Sequence, residues 1–579
     1  MATSRVSPTF DPLNPLVVQP DRTILVETYS PKYDDARDAI APFAELQKSP
    51  EHIHTYAISN LSLWNAAAAG MTAQEMILVL EKFTKFPLPA NIPSDIIETV
   101  SRYGRIRLER LDDQSLSMIC EDLALLEEIS RQPKVKEYLA EKLSATSYRI
   151  HAGHRGVLKL ALILVGYPAE DLAGYVDGAP LPCALRQHTR AGLPFHVRDY
   201  QLESANIFHA SGNVRGGSGV IVLPCGAGKT VVGIVAMTMV QRSTLVLTTS
   251  VTAVKQWRRE ILDKTDLRDE DVAEYTGESK EIAQVTVATY QIITYRPDKN
   301  ENFPHFKLFE ERDWGLIIYD EVHLLPAPVF RVTAQIQARR RLGLTATLVR
   351  EDGREGDVFS LIGPKKYDVP WRDLESQGWI ASAVCAEIRV SLPHELRMEY
   401  ALAELRNKYR IASDNESKDE VIARLLEKHA HERVLIIGQY LSQLRRVAKR
   451  FDVPLITGST PNSEREILYG DFRLGKVKHL VLSKVGNFAI DLPDANVLIQ
   501  ISGTFGSRQE EAQRLGRVLR PKTGGEGAYF YTLVTRDSRE QEFAQHRQMF
   551  LTEQGYSYRI MDELDAAQQE SLKKNEKLS

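Results

Sequence analysis

The chain has 579 residues, 43% of them hydrophobic and 26% charged, which is material for about four domains of roughly 150 residues with several buried cores. Its 73 basic and 77 acidic residues leave a formal net charge of −4, which excludes a uniformly basic histone-like binder but not an enzyme that gathers positive charge locally. The apolar run over 231–240 is too short for a membrane helix of about 20 residues, so no membrane span is expected.

The opening residues carry no apolar stretch of the secretory kind. The four cysteines, Cys120, Cys183, Cys225 and Cys385, match no zinc or redox spacing. Both features point to the reducing cytoplasm. Residues 1–185 read as helices with a few short strands. Helical periodicity covers 35–46, 61–69, 73–86 and 122–143, and strand-like runs cover 105–111, 116–120 and 146–151. The simplest division is an α-rich module over 1–104 and a small α/β module over 105–185. The Gly- and Pro-bearing stretch 174–193 reads as a connector.

From about residue 195 strands alternate with helices. Apolar, β-branched runs fall at 220–223, 244–249, 285–288, 316–319 and 341–344. After Trp371 five more follow, at 434–437, 454–456, 479–482, 496–501 and 528–533. This predicts an α/β fold with two tandem parallel-sheet lobes, over 195–370 and 371–560, and a polar tail over 561–579. In such sheets ligands bind at the C-terminal ends of the strands.

The strand over 219–223 runs into Gly226-Ala227-Gly228-Lys229-Thr230 and then into a helix. Small residues at this junction let backbone N–H groups approach phosphate oxygens, with help from the helix N-terminus. Lys229 would reach the β- and γ-phosphates, and the Thr230 hydroxyl would take one position on Mg2+. The general P-loop formula has glycine where this chain has Leu223. A second apolar strand ends in Asp320-Glu321-Val322-His323. There Asp320 is suited to hold Mg2+ and Glu321 to polarise an attacking water. Alone this pair reads equally well as an acidic turn; joined to the P-loop it points to hydrolysis. In the second lobe Arg514, Arg517 and Arg520 recur along one helical face, as arginine fingers or as a solvated basic face.

Together with Leu344-Thr345-Ala346-Thr347, these segments resemble a superfamily 2 helicase with two RecA-like lobes. The finer likeness is to the XPB family of DNA repair and transcription helicases, carried by 218–230, 342–352, 483–502, 511–521 and 548–558. Arg350-Glu351-Asp352 resembles that family's RED motif. The close match runs over 195–560, and 49–55 and 61–70 resemble the N-terminal module of prokaryotic members. The resemblance implies an ATP- and Mg2+-dependent DNA helicase of 3′-to-5′ polarity acting in repair, with Lys229, Asp320, Glu321, His323, Arg514 and Arg517 as its catalytic set. It assigns Arg198 and Gln201 to the adenine, 226–230 to the phosphates and Asp491 to the ribose, although the glycine usual two residues earlier is Ala489. Ser250, Gln256 and Thr289 are assigned to the DNA backbone, Thr345 and Thr347 to coupling, and Arg350, Glu351 and Asp352 to a wedge at the fork. It also implies a damage-recognition-like role for 105–185 and a repair nuclease as partner.

Residues 329–350 contain Arg331, Arg339, Arg340, Arg341 and Arg350 and no acid, a density expected to neutralise DNA phosphates, with two of the five left to solvent. No ladder of aromatics suggests reading of sequence. The rival readings are a double-strand DNA translocase, a catalytically weak DNA-binding scaffold, and a P-loop phosphotransferase. The last gives no reason for a second lobe.

Overall fold

The structure is a computed structural model that describes residues 10–48, 52–112, 114–224, 226–297, 303–336, 339–346, 355–369, 383–483, 495–503, 528–542 and 558–562, with isolated positions 374, 377, 544, 545 and 551. Its first hundred residues hold strands β1 (Leu16–Val18), β2 (Thr23–Glu27), β3 (Glu45–Lys48) and β4 (Ile53–Ala57), joined as an antiparallel sheet in the order β1-β2-β4-β3. Alternate residues such as Ile24 and Val26 turn inward. Helices Asn60–Ala68 and Ala73–Phe83 begin where Ser59 and Thr72 form capping boxes with Ser62 and Glu75. The helix expected over 35–46 stops at Ile40, just ahead of Pro42, and Glu45–Lys48 becomes strand instead. The α-rich reading of this stretch therefore missed a four-stranded sheet.

A second sheet combines β5 (Ile106–Arg110), β6 (Ser115–Cys120), β7 (Leu139–Ser144), β8 (Ser147–His151) and β9 (Glu170–Asp171) in the order β7-β8-β6-β5-β9. The helix expected over 122–143 is broken. Pro133 disfavours helix at Gln132, which is extended (φ −62°, ψ 123°), so Leu123–Arg131 ends there and β7 follows a short turn of helix. Helix Arg155–Leu164 joins this unit to the next. A Cβ on Gly156 would lie 2.5 Å from the carbonyl oxygen of Ala334, so the two backbones meet directly. Nearby, Asp171 accepts from Arg155 and Lys159, each at 2.8 Å. Burial alone would raise the Asp171 pKa, but the two cations hold it far below the usual carboxylate range.

Both later lobes are wholly parallel sheets of seven strands, five of them at the predicted positions in each. The first contains β10 (Ser218–Val222), β11 (Thr244–Thr248), β12 (Val272–Tyr275), β13 (Val285–Thr289), β14 (Leu316–Asp320), β15 (Arg340–Thr345) and β16 (Lys365–Asp368), in the order β12-β13-β11-β14-β15-β10-β16. The second contains β17 (Ala383–Val390), β18 (Val434–Ile437), β19 (Leu455–Ile456), β20 (His479–Leu482), β21 (Val497–Gln500), β22 (Ala528–Thr535) and β23 (Tyr558–Asp562), in the order β19-β20-β18-β21-β22-β17-β23. Strands covered on both faces are buried at every position and mostly apolar, as β11, β13 and β18 are, with threonine the only polar residue among them. In the second lobe Lys418 and Glu540, both without solvent exposure, form a 2.7 Å ion pair, and Lys418 also donates to the Ile501 carbonyl just beyond β21. Among the described residues no helix is long and apolar enough to cross a membrane.

Candidate functional site

Parallel register brings the C-terminal ends of the first lobe's strands to one rim. Thr248 pairs with Thr289, Asp320 with Leu344 and Val222 with Thr345. From β10 the chain turns through Gly226 (φ +85°) and Gly228 (φ +80°) into helix Lys229–Val240. Gly228 is needed twice over. Its φ is left-handed, and a Cβ there would stand 2.5 Å from Nε2 of Gln201.

The residues expected at the adenine sit against this turn. Tyr200 OH donates to the Ala227 carbonyl at 2.6 Å, and Gln201 Nε2 donates to the same oxygen at 3.0 Å. Gln201 Oε1 accepts the Arg198 backbone N–H at 3.1 Å, and Arg198 Nη1 donates to Tyr200 OH at 3.0 Å. The buried Gln201 amide thus braces the turn at 226–228. Tyr200 was not foreseen in this role, because a buried aromatic on a helix reads simply as core.

Lys229 and Glu321 are in contact, Nζ to Oε1, at 3.1 Å. Burial would raise the Glu321 pKa, but Lys229 and then His323 bring it below the ordinary value. Asp320 next to it is pushed up to about 6, first by burial and then by the Glu321 charge. Glu321 has a left-handed backbone (φ +50°), which costs a residue with a side chain about 1–2 kcal/mol and is tolerated chiefly at functional sites. His323 Nδ1 lies 2.6 Å from Thr345 Oγ1 and 3.6 Å from Glu321 Oε2, so the ends of β14 and β15 are tied together.

Asp320 is held by residues that sequence reasoning did not single out. Trp257 Nε1 donates to Asp320 Oδ2 at 2.8 Å, Thr248 Oγ1 lies 3.4 Å from the same oxygen, and Tyr290 OH donates to the Asp320 carbonyl at 2.9 Å. Among the described residues no group of three or more His, Cys, Asp or Glu side chains could cage a metal. The donor types fit Mg2+ all the same: the carboxylate of Asp320 at the end of β14 and the hydroxyl of Thr230 in the first turn of helix Lys229–Val240 are oxygen donors that suit a hard ion whose other ligands are water and phosphate.

Ser250 caps helix Val251–Lys264 by accepting from the Ala253 N–H at 3.2 Å, and Thr289 caps helix Tyr290–Ile293 by accepting from Ile292. Gln256 is exposed on the first of these helices. Of the five arginines expected to face DNA, the three whose side chains are described are engaged within the chain. Arg339 is paired with Asp313, and Arg340 lies 3.2 Å from Asp177. Arg341 is wholly buried, donating to the Leu361 carbonyl at 2.7 Å. Arg340 and Arg341 begin β15, at the opposite end of the sheet from Asp320, and lie with Arg155 around the Tyr175 ring. Their density in sequence reflected acids and carbonyls supplied from elsewhere in the chain. Arg514, Arg517, Asp491, Thr347, Arg350, Glu351 and Asp352 lie outside the described residues, as does the Arg331 side chain.

Comparison with known proteins agrees with this arrangement. The sequence model of the ERCC3/RAD25/XPB C-terminal helicase matches residues 374–578, and that of the type III restriction enzyme res subunit matches 194–350. A model described as a helicase conserved C-terminal domain matches 16–144, over the first N-terminal sheet and strands β5 to β7 of the second. The chain is 52% identical over 548 residues to the DNA 3′-5′ helicase XPB of Mycobacterium tuberculosis, covering 95% of this chain and 98% of that one. Its identity to the Kineococcus radiotolerans protein of the same name is also 52%, over 95% and 96%. With the general transcription and DNA repair factor IIH helicase/translocase subunit XPB of Enterocytozoon bieneusi it shares 33% identity, over 94% and 92%. Likeness of this extent, along nearly the whole length of each relative, makes this chain a member of the XPB helicase family.

Proposed function

We propose that the chain is an ATP-dependent DNA helicase of 3′-to-5′ polarity that couples Mg·ATP hydrolysis to strand separation in repair. The observation that carries this reading is the contact between Lys229 and Glu321, with Asp320 beside them, on the same rim as Ser250 and Thr289. Phosphate chemistry and DNA contact then share one edge of one sheet.

Lys229 and the backbone N–H groups of 226–230 bind the phosphates of ATP, while Tyr200 and Gln201 keep their turn in shape. Thr230 and Asp320 would hold Mg2+, which when bound neutralises phosphate charge. Glu321 accepts the proton of the attacking water, a task for which its lowered pKa keeps it ionised. His323 carries the state of Glu321 to Thr345. In this reading Arg514 and Arg517 add positive charge at the γ-phosphate, Asp491 holds the ribose, and Arg350, Glu351 and Asp352 divide the strands at a fork. Family membership alone supports the nuclease partner and the damage-recognition-like role of 105–185. The cytoplasm is the matching compartment, in keeping with Cys120, Cys183 and Cys385, which are buried thiols.

The test is ATP turnover with and without single- and double-stranded DNA, alongside strand displacement on duplexes tailed at either end. DNA-stimulated hydrolysis with displacement only from a 3′ tail is expected. Stimulation by duplex without displacement would replace the helicase by a translocase, and turnover indifferent to DNA would overturn the reading.

A further inference from the structure

We propose that Trp257 is a positioning residue that makes the Asp320 carboxylate answer to DNA contact, through helix Val251–Lys264. The proposal rests on the reading of this chain as a DNA-stimulated ATPase and names the side chain that carries the stimulation.

The helix starts at Ser250 and carries Gln256 on its exposed side, both expected on the DNA path. Trp257 follows Gln256 directly, so one helical turn holds an outward amide and an inward indole. The indole is 2% exposed and spends its single N–H on Asp320 Oδ2 at 2.8 Å. Thr248, the last residue of β11 before Ser250, addresses the same oxygen at 3.4 Å. Both restraints come from the segment that bears Ser250, and both act on one oxygen, which fixes the rotation of the carboxylate. The segment after β13 reaches the same residue by another route: Tyr290 OH donates to the Asp320 carbonyl, and Gln291 Nε2 ties the two segments by donating to the Thr249 carbonyl at 2.6 Å.

The ring is also wedged from the opposite side. A Cβ on Gly233, in the helix that begins with Lys229, would lie 2.6 Å from Trp257 Cη2. Trp257 therefore stands between the phosphate-binding helix and the DNA-facing helix, with its N–H on the carboxylate that both must use. A shift of helix Val251–Lys264 by a few tenths of an ångström lengthens or bends a charge-assisted hydrogen bond, whose strength falls steeply with geometry. An ordinary core tryptophan needs neither the Asp320 bond nor a glycine opposite.

The experiment uses the full chain and Trp257→Phe, which keeps a ring and removes the donor. Hydrolysis is followed against single-stranded DNA concentration and against Mg2+ at saturating ATP, with thermal melting as the folding control. The expected result is a DNA-stimulation ratio lowered about tenfold and a raised Mg2+ half-saturation, while DNA half-saturation stays within about twofold. Gly233→Ala crowds the ring without touching its chemistry and should produce the same split, which serves if the phenylalanine variant fails to fold. Variants that melt normally and keep the parent's stimulation ratio would reduce Trp257 to packing and overturn the proposal. A parent chain whose hydrolysis ignores DNA would overturn the proposed function, and the coupling with it.

Discussion

Lys229 Nζ rests 3.1 Å from Glu321 Oε1, so the cation proposed for phosphate and the carboxylate proposed for water form one ion pair. In the proposed mechanism phosphate competes with Glu321 for Lys229. Glu321→Gln removes the proton acceptor and weakens that pair, so Mg·ATP should bind at least as well as to the parent while hydrolysis drops at least about a hundredfold. Nucleotide titration and single-turnover hydrolysis check this; turnover near the parent rate would take Glu321 out of the chemistry.

Lys229→Ala acts differently. It removes the phosphate contact and also leaves Glu321 buried without its main counter-charge, so the Glu321 pKa should climb. Nucleotide affinity and turnover should fall together, and melting of the nucleotide-free protein should drop near neutral pH more than in acid, where Glu321 is protonated. A melting curve with no such pH trend would mean the pair adds nothing to stability.

Asp320 gives the site its own pH dependence. Its pKa is raised to about 6 by burial and by Glu321. Below that pH the nucleotide-free protein holds a proton that a metal must displace, and above it the carboxylate is already ionised. Apparent affinity for Mg·ATP should therefore weaken by up to about tenfold per pH unit below about pH 6 and be flat above about pH 7. Titrations across that range decide it; constancy into the acid side would place the metal elsewhere.

Arg339 and the β15 arginines Arg340 and Arg341 should matter for folding rather than for DNA. Arg339→Ala and Arg340→Ala should leave the salt dependence of DNA binding unchanged, since each is engaged by an acid of its own chain. Arg341→Ala should lower the melting temperature markedly, because it empties a buried site beneath Tyr175 and strips the Leu361 carbonyl of its donor. A flatter salt slope in the first two variants would restore them to the DNA surface.

Lys418 and Glu540 offer a stability test in the other lobe. Lys418→Met leaves Glu540 buried without a cation and should cost about 3–5 kcal/mol, whereas adding Glu540→Gln should recover much of the loss. Denaturant melts of the two variants compare directly. A single variant no worse than the double would show that the pair is dispensable.

Legibility in the sequence followed burial. Ten parallel strands could be read because both faces are covered, which favours short, mostly apolar and β-branched runs. β17 escaped because Glu387 and Arg389 interrupt its pattern; Glu387 is nonetheless buried, satisfied by Arg389 and the Tyr558 hydroxyl, each at 3.0 Å. Pro133 marked a break that helical periodicity ran across. The phosphate turn and the Asp320-Glu321 pair were legible because their chemistry lies in adjacent residues. The bracing by Tyr200, Thr248, Trp257 and Tyr290 was not, since each acts across at least 27 positions on an atom no local pattern reveals. Arg339 and Arg340 show the same limit in reverse, their partners Asp313 and Asp177 being distant in sequence.

The seam between Gly156 and Ala334 has no side-chain padding. Joints lined with side chains can slide by changing rotamers, but two backbones closer than the width of a methyl group can only stay shut or part completely. The five-stranded unit β5–β9 is thereby an outrigger bolted to the nucleotide-binding lobe. In the proposed motor this sheet would travel with that lobe in every step, at a constant offset from the Lys229–Glu321 rim.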